Sequence, residues 1–193
     1  MGFHAPVLKN GATYSEQDWE PFALEVLSSV LSGNAASRLN QKLVREQAIA
    51  LDIDTGYDST NRGQTASFEV AASPSEGVSQ DTLINAIWAQ IDEIKQHGVT
   101  AAELHRIKAS VIAADVYKRD SMFYQAMQIG QLETMHYPLS LLQQNAARIQ
   151  AVTSEQVQAV AKQYLLPDQM TLVSLDPQPI DPHQKPAGRP HQH

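Results

Sequence analysis

Residues 49–73, IALDIDTGYDSTNRGQTASFEVAAS, contain two runs in which apolar and polar side chains alternate. The alternating apolar positions are Ile49, Leu51, Ile53 and Tyr57 in the first run and Ala66, Phe68, Val70 and Ala72 in the second. Between them, Asn61-Arg62-Gly63 has the composition of a turn. Because a period of two places successive side chains on opposite faces of a strand, the stretch predicts an antiparallel hairpin with one buried face.

The segments on either side of the hairpin have the period of helices. Before it, we predict one helix from Ser15, as N-cap, to Gly33, and a shorter one over residues 37–46. After it, apolar stripes predict four helices. Two of them begin with the capping-box pattern at Thr100–Glu103 and Thr153–Gln156, and the first of these two is predicted to continue to about Gly130.

Short apolar runs at residues 5–8 and 170–175 predict an opening and a closing strand. Since strands and helices do not alternate regularly, the order predicts an α+β fold, in which an antiparallel sheet is flanked by helices on one face. Residues 1–176 are predicted to form one domain. Residues 177–193 are rich in Pro, Gln and His without an apolar period, and we expect them to form a disordered tail.

Composition limits the classes of partner. The 193 residues carry a formal net charge of −7 without a basic cluster, which argues against a nucleic acid or an anionic membrane surface. No apolar run reaches about 18 residues, so a membrane-spanning helix is not expected. The absence of cysteine excludes disulfides and thiolate metal sites. This composition indicates a globular protein and predicts neither a membrane nor a nucleic-acid partner.

Four segments in this order resemble the pitrilysin/insulinase (M16) family of zinc peptidases. They are LSSVLSGNAASRL at 27–39, LVREQAIA at 43–50, GVTAAELHRIK at 98–108 and IQAVTSEQV at 149–157. They correspond to the family's glycine turn with Ser-Arg-Leu, its "LRE…LA" segment, its "G-V-T-x-x-E-L" helix start and its "I-x-A-V-T" segment. The resemblance covers nearly the whole chain and implies one M16 structural repeat of the LuxS/MPP-like metallohydrolase type, a sheet flanked by helices.

In the family's active repeats, an inverted His-x-x-Glu-His motif and a later Glu bind zinc, and the motif Glu acts as base. This sequence contains neither that motif nor His-Glu-x-x-His. His4, His97, His105 and His136 each lack the partner residues. We therefore expect no metal ligand and no catalytic residue in this chain. The resemblance implies the non-catalytic C-terminal repeat, with zinc held by the N-terminal half of the parent protein.

That repeat is expected to close the peptidase chamber and to bind peptide substrate. Arg45 matches the family's Arg in the "LRE" segment and is the predicted substrate-binding residue. The family's Tyr a few residues later falls on Leu51 or Asp52, so the sequence departs from the pattern there.

The expected partner is the N-terminal catalytic repeat, docked on an exposed apolar surface, and such a surface could also join two copies as a homodimer. The alternative is a catalytically inactive M16-like structural or assembly subunit. Bacterial relatives suggest the periplasm.

Other candidate residues have simpler interpretations. Arg38 is more simply explained by a cap or salt bridge, and Asp52 and Asp54 by a solvated strand face. The apolar residues Met122, Phe123, Met127, Ile129 and Leu132 are expected in the core rather than in a peptide-binding face. The tail histidines His183, His191 and His193 are expected to bind metal only adventitiously.

Overall fold

The computed structural model describes residues 1–9, 18–60 and 65–176. Four strands are formed by β1 (Gly2–Pro6), β2 (Ala50–Gly56), β3 (Thr65–Pro74) and β4 (Met170–Thr171). The helices are α1 (Glu20–Ser32), a π-helix (Asn40–Glu46), α2 (Gln80–His97), α3 (Ala101–Arg119), α4 (Met122–Thr134), α5 (Ser140–Ala151) and α6 (Ser154–Tyr164), followed by a 3₁₀ turn at Pro167–Gln169. This order confirms the predicted α+β class.

The strands form one antiparallel sheet in the order β2-β3-β1-β4. The hairpin predicted from the alternating pattern is β2–β3, with Ile53 opposite Ala72. The next strand in the sheet is β1, with Phe3 opposite Phe68. The predicted turn at residues 61–63 lies outside the described residues. The central pair of strands, β3 and β1, therefore joins segments that are separated by roughly 60 residues of sequence.

Helices cover one face of this sheet. The residues that point toward them are almost completely buried, among them Phe3 (1% exposed) and Phe68 (0%). The most deeply buried helix is α1, in which Phe22, Leu24, Val26, Leu27, Val30 and Leu31 are 0–1% exposed. On the other face of the sheet His4, Ser67 and Glu69 are exposed. This arrangement confirms the prediction of helices on one face.

Three predicted elements differ from the observed ones in extent or position. The helix expected to run from Thr100 to about Gly130 ends at Arg119, and Ser121 caps a separate helix, α4, by accepting a hydrogen bond from the backbone N–H of Tyr124 at 3.3 Å. The closing strand is limited to Met170–Thr171, since only these residues lie opposite β1. The opening strand is displaced toward the N-terminus, at Gly2–Pro6.

The two predicted capping boxes differ in how completely they form. Thr153 and Gln156 form the complete capping box that the sequence predicts. Thr100 accepts from the backbone N–H of Glu103, but the Glu103 side chain bonds Arg38 instead of returning to the cap. The predicted capping box at Thr100 is therefore only half formed. The predicted cap Ser15 lies outside the described residues.

Candidate functional site

Arg45 lies at the corner between the π-helix and β2. It occupies the last turn of the π-helix, and its side chain is exposed. The backbone N–H of Gln47 donates to the carbonyl of Lys42 at 3.0 Å, five residues back, which is the hydrogen bond of a π-helix. Ala48 then has a positive φ of 52°, and the chain turns into β2. The sequence predicted an ordinary helix over residues 37–46, and π-helical turns, which are common at functional sites, were missed.

The two charged neighbours of Arg45 on the π-helix, Lys42 and Glu46, form an ion pair with each other. Lys42 donates to the carboxylate of Glu46 at 2.8 Å and Gln41 donates to it at 3.0 Å. The hydrogen bond from Lys42 and, to a smaller degree, that from Gln41 hold the pKa of Glu46 below its ordinary value. Arg45 itself has no ion pair among the described residues. Its guanidinium is thus the charged group at this corner that remains available to another molecule.

A β-bulge follows Arg45 in the first residues of β2. The register with β3 shifts between Ala50 and Asp52, so the intervening Leu51 leaves the alternating pattern and is 68% exposed. The prediction that Leu51 shares the buried face with Ile53 is wrong, because the bulge places Ala50 there instead (3% exposed). Asp52 and Asp54 are exposed, as expected for a solvated strand face. Sequence alternation alone does not reveal a bulge of one residue.

Helix α1 covers the outer edge of β2. The hydroxyl of Ser32 donates to the carbonyl of Ile53 at 2.8 Å, and the hydroxyl of Ser28 donates to the carbonyl of Thr55 at 3.2 Å. The Thr55 hydroxyl in turn donates to the carbonyl of Ser28 at 2.8 Å. These bonds occupy the carbonyls that an added strand would need. A peptide that contacts this corner must therefore use side chains rather than extend the sheet at β2.

Arg38 lies at the start of the helical segment that contains Arg45. It donates to both carboxylate oxygens of Glu103 at 2.8 Å and to the carbonyl of Gly98 at 3.0 Å. The side chains of Arg38 and Glu103 are only 17% and 16% exposed. The hydrogen bonds to Glu103 raise the pKa of Arg38 above its ordinary value. The salt-bridge interpretation of Arg38 is confirmed, and the pair fastens the π-helical segment to the start of α3.

A polar cavity of about 540 Å³ lies between α1 and helices α3–α5. Its wall includes Glu25, Ser59 and Asp115. The hydroxyl of Ser59 donates to the carboxyl of Glu25, and Arg119 bonds Asp115 as well as the carbonyl of Leu142 (2.6 Å) on α5. Burial, opposed by the Ser59 hydrogen bond and assisted by Asp58 and Asp115, raises the pKa of Glu25 to about 7. No pattern in the sequence pointed to this acid, which lies in the apolar stripe of α1.

An apolar surface covers the end of α3 and the outer side of α4. Its exposed members are Val116 (55%), Tyr117 (75%), Met122 (86%), Phe123 (80%), Met127 (47%) and Ile129 (42%). The prediction that the α4 residues belong to the core is wrong except for Leu132, which is 5% exposed. The physical reason is the break at Ser121, which turns α4 so that Tyr124, Gln128 and Gln131 face the cavity. Such a surface agrees with the expected apolar face.

The described residues contain no group of three or more His, Asp or Glu side chains that could hold a metal ion. The tail histidines His183, His191 and His193 lie outside the described residues, so the prediction about them stays a prediction. In the described part of the chain, none of the helices has the length and apolar character needed to cross a membrane.

Comparisons with known proteins agree with this architecture. A protease from Helicobacter pylori superposes with a TM-score of 0.76 at 20% identity, over 87% of this chain and 38% of that chain. An inactive peptidase domain assigned to a zinc protease of Bordetella parapertussis gives 0.70 at 16% identity, over 92% of both chains. The periplasmic protease PqqL of Escherichia coli gives 0.60 at 17% identity, over 85% of this chain and 17% of that chain. At these identities the likeness is one of fold.

This chain thus spans about two-fifths of the length of the Helicobacter pylori protease and nearly all of the Bordetella domain. No curated protein matches it significantly in sequence. The family described as "Peptidase M16 inactive domain" matches residues 2–111, which is more than half of the 193 residues and includes the sheet strands β1–β3, the π-helix and Arg45. The chain therefore belongs to the M16 peptidase family, as an inactive peptidase domain.

Proposed function

We propose that this domain is the substrate-binding, chamber-closing half of an M16 zinc metalloendopeptidase, with Arg45 as its substrate-binding residue. The single observation that carries the proposal is the exposed Arg45 guanidinium, which has no ion pair in the described structure and extends from a rigid corner of the fold. A guanidinium offers a planar fork of donors to a peptide carbonyl or a C-terminal carboxylate.

In this proposal residues 1–176 form the domain and residues 177–193 a tail. Its partner is an N-terminal catalytic repeat that carries the zinc ion and activates the attacking water. The family match and the absence of a metal-binding group among the described residues support this division of labour. The likeness to the periplasmic protease PqqL supports a periplasmic location for the assembled enzyme.

Arg45→Ala is expected to lower kcat/KM for peptide cleavage by the two-repeat protease by about 1–3 kcal/mol of transition-state stabilisation, the contribution of a hydrogen bond to a charged group. Arg45→Lys should recover only part of the activity, because an ammonium group lacks the fork. The measurement is steady-state cleavage of a fluorogenic peptide, with thermal unfolding of each variant recorded in parallel.

Lys42→Ala provides a matched control, since Lys42 is exposed on the same π-helix but is paired with Glu46. It should leave kcat/KM within twofold of the wild type. Equal kcat/KM for wild type and Arg45→Ala would remove Arg45 from the site, as would an activity loss that follows the loss of folded protein.

The competing function is an inactive structural subunit. It predicts that the domain binds its catalytic partner while Arg45→Ala has no effect on cleavage of any peptide, and that a catalytic repeat alone retains full activity. Comparing the catalytic repeat with and without this domain in the same assay therefore separates the two functions.

A further inference from the structure

The polar cavity between α1 and helices α3–α5 is lined by more acidic than basic side chains. The charged residues of its wall are Glu25, Asp58, Asp115, Lys118 and Arg119. Arg119 is paired with Asp115, and the ammonium group of Lys118 lies 5.7 Å from the centre of the Tyr124 ring. Glu25 and Asp58 have no ion pair within the described parts of the chain. The cavity therefore contains two carboxyl groups without a cationic partner there.

Glu25 presents one of its carboxyl oxygens to this cavity. Its neighbours on α1, Leu24 and Val26, are 0% exposed, whereas Glu25 keeps some accessible surface and lines the cavity. Ser59 donates to Oε1 of Glu25, and Oε2 has no hydrogen-bond partner among the residues that the structure describes. Because a carboxylate accepts several hydrogen bonds, Oε2 can accept from a donor that enters the cavity.

Negative charge is concentrated around Glu25. Burial first, and then two nearby carboxylates, raise the pKa of Glu25 to about 7 against the hydrogen bond from Ser59. These carboxylates belong to Asp58 and Asp115. The other titratable groups of the described wall are Tyr57, Lys118, Arg119 and Tyr124, and α5 contributes no charged side chain to it. A cation in the cavity would favour the ionised form of Glu25 and would replace its proton.

The lining of the cavity suits an ammonium group better than a metal ion. The described residues hold no group of three or more potential metal ligands, and the volume of about 540 Å³ is that of a site for an organic molecule. Amide side chains of Gln128, Gln131 and Asn145 also line the wall. Gln128 donates to the hydroxyl of Tyr124 at 3.1 Å, which leaves its oxygen free to accept. Carboxylate and amide oxygens together match the three N–H donors of a primary ammonium group.

We propose that this cavity binds a small organic molecule that carries a primary ammonium group, with Glu25 as the residue that bonds the ammonium and Asp58 as a second source of negative charge. A free aliphatic amine and the lysine side chain of a peptide share this chemistry, and the proposal assigns the free amine. Arg45 does not line the cavity. This binding activity is therefore independent of the proposed role of the domain in proteolysis.

The test is isothermal titration calorimetry of the full chain at pH 8 and low salt with butane-1,4-diamine. Butane-1,4-diol, which has the same chain length without charge, is the control ligand and should bind at least about tenfold more weakly. Glu25→Gln should weaken binding of the diamine at least about tenfold, since it removes a charged hydrogen bond. The control variant Glu133→Gln changes an exposed acid of α4 outside the cavity wall and should bind as the wild type does.

NMR spectroscopy locates the bound molecule. The side-chain amide signals of Gln128, Gln131 and Asn145 should shift as the diamine saturates the chain. The signals of Gln96, which is exposed at the end of α2 and does not line the cavity, should stay unchanged.

The proton on Glu25 gives a further readout. An alkyl diamine stays charged between pH 6 and pH 8, so its affinity should rise roughly tenfold over this range as Glu25 ionises. At pH 6 close to one proton should be released for each molecule bound, and almost none at pH 8. Titrations in phosphate and in Tris, which differ in ionisation enthalpy, measure this release. In Glu25→Gln both the rise in affinity and the proton release should disappear.

Unchanged binding in Glu25→Gln, equal affinity for the diol, or no saturation below about 10 mM diamine would overturn the proposal. If Nα-acetyl-lysine amide binds and the diamine does not, the ligand is a peptide side chain and the assignment to a free amine is wrong. Tighter binding of Mg²⁺ than of the diamine would replace the organic cation by a metal ion.

Discussion

Replacing Glu25 with glutamine is expected to raise the free energy of unfolding at pH 8 by roughly 3 kcal/mol. This is the free-energy equivalent of the difference between the pKa of Glu25 in the folded protein and its ordinary pKa in the unfolded chain. The carboxyl of Glu25 has a pKa raised to about 7 from its ordinary 4.5, first by burial and then by Asp58 and Asp115. The folded protein therefore holds a proton there that the unfolded chain releases at lower pH. Stability from this group is complete below about pH 4.5 and is lost as pH rises through 7.

Glutamine keeps the oxygen that accepts from Ser59 but cannot ionise, so the variant should lose this part of the pH dependence. The measurement is urea unfolding at pH 4, 6, 7 and 8, where the two proteins should agree at pH 4 and diverge toward pH 8. Glu133→Gln, an exposed position on α4, provides the control and should follow the wild type. Parallel stability curves for Glu25→Gln and wild type would show that the cavity hydrates the ionised carboxylate fully.

Replacing Arg38 with alanine is expected to lower the free energy of unfolding by about 2–3 kcal/mol, because the change leaves a partly buried carboxylate and a carbonyl without their donor. The carboxylate belongs to Glu103 and the carbonyl to Gly98. For a domain of this size the loss corresponds to a fall in Tm of roughly 4–12 °C. Thermal and urea unfolding measure it.

A double-mutant cycle with Glu103→Ala isolates the pair, and the double variant should lose less than the sum of the single variants. Lys42→Ala breaks a solvent-exposed pair instead, with Glu46, and should cost about 0.5 kcal/mol or less. If Arg38→Ala costs no more than Lys42→Ala, the Arg38–Glu103 contact does not fasten the two helical segments.

The hairpin shows why a strong local pattern is predictable. Phe68 and Val70 alternate with polar residues over a run that the sheet buries on one face only, so the period of two is visible in the sequence. The same reasoning failed at Leu51, because a one-residue bulge breaks the alternation without changing the composition. It failed again on α4, where exposed Met122 and Phe123 have the composition of core residues.

The candidate site was only partly visible in the sequence. Arg45 was found through a resemblance between short segments, and its role in substrate binding stays a prediction. The pairing of Arg38 with Glu103 joins residues 65 positions apart, and no local pattern specifies which acid meets which base. Glu25 was not predicted from the sequence, because the pKa of a single acid in an apolar helix is shifted by burial and by groups on other elements.

The sequence by itself determined the α+β class, the hairpin, most of the helices and the absence of a zinc motif, because periodicity, caps and motifs are properties of short segments. Only the tertiary structure decided the pairing of β1 with β3, the closure of the β2 edge by Ser28 and Ser32 and the outward face of α4. These features depend on which backbone and side-chain groups of distant segments meet. Their energies arise from burial and hydrogen bonding between elements, and the sequence of one segment alone does not specify such contacts.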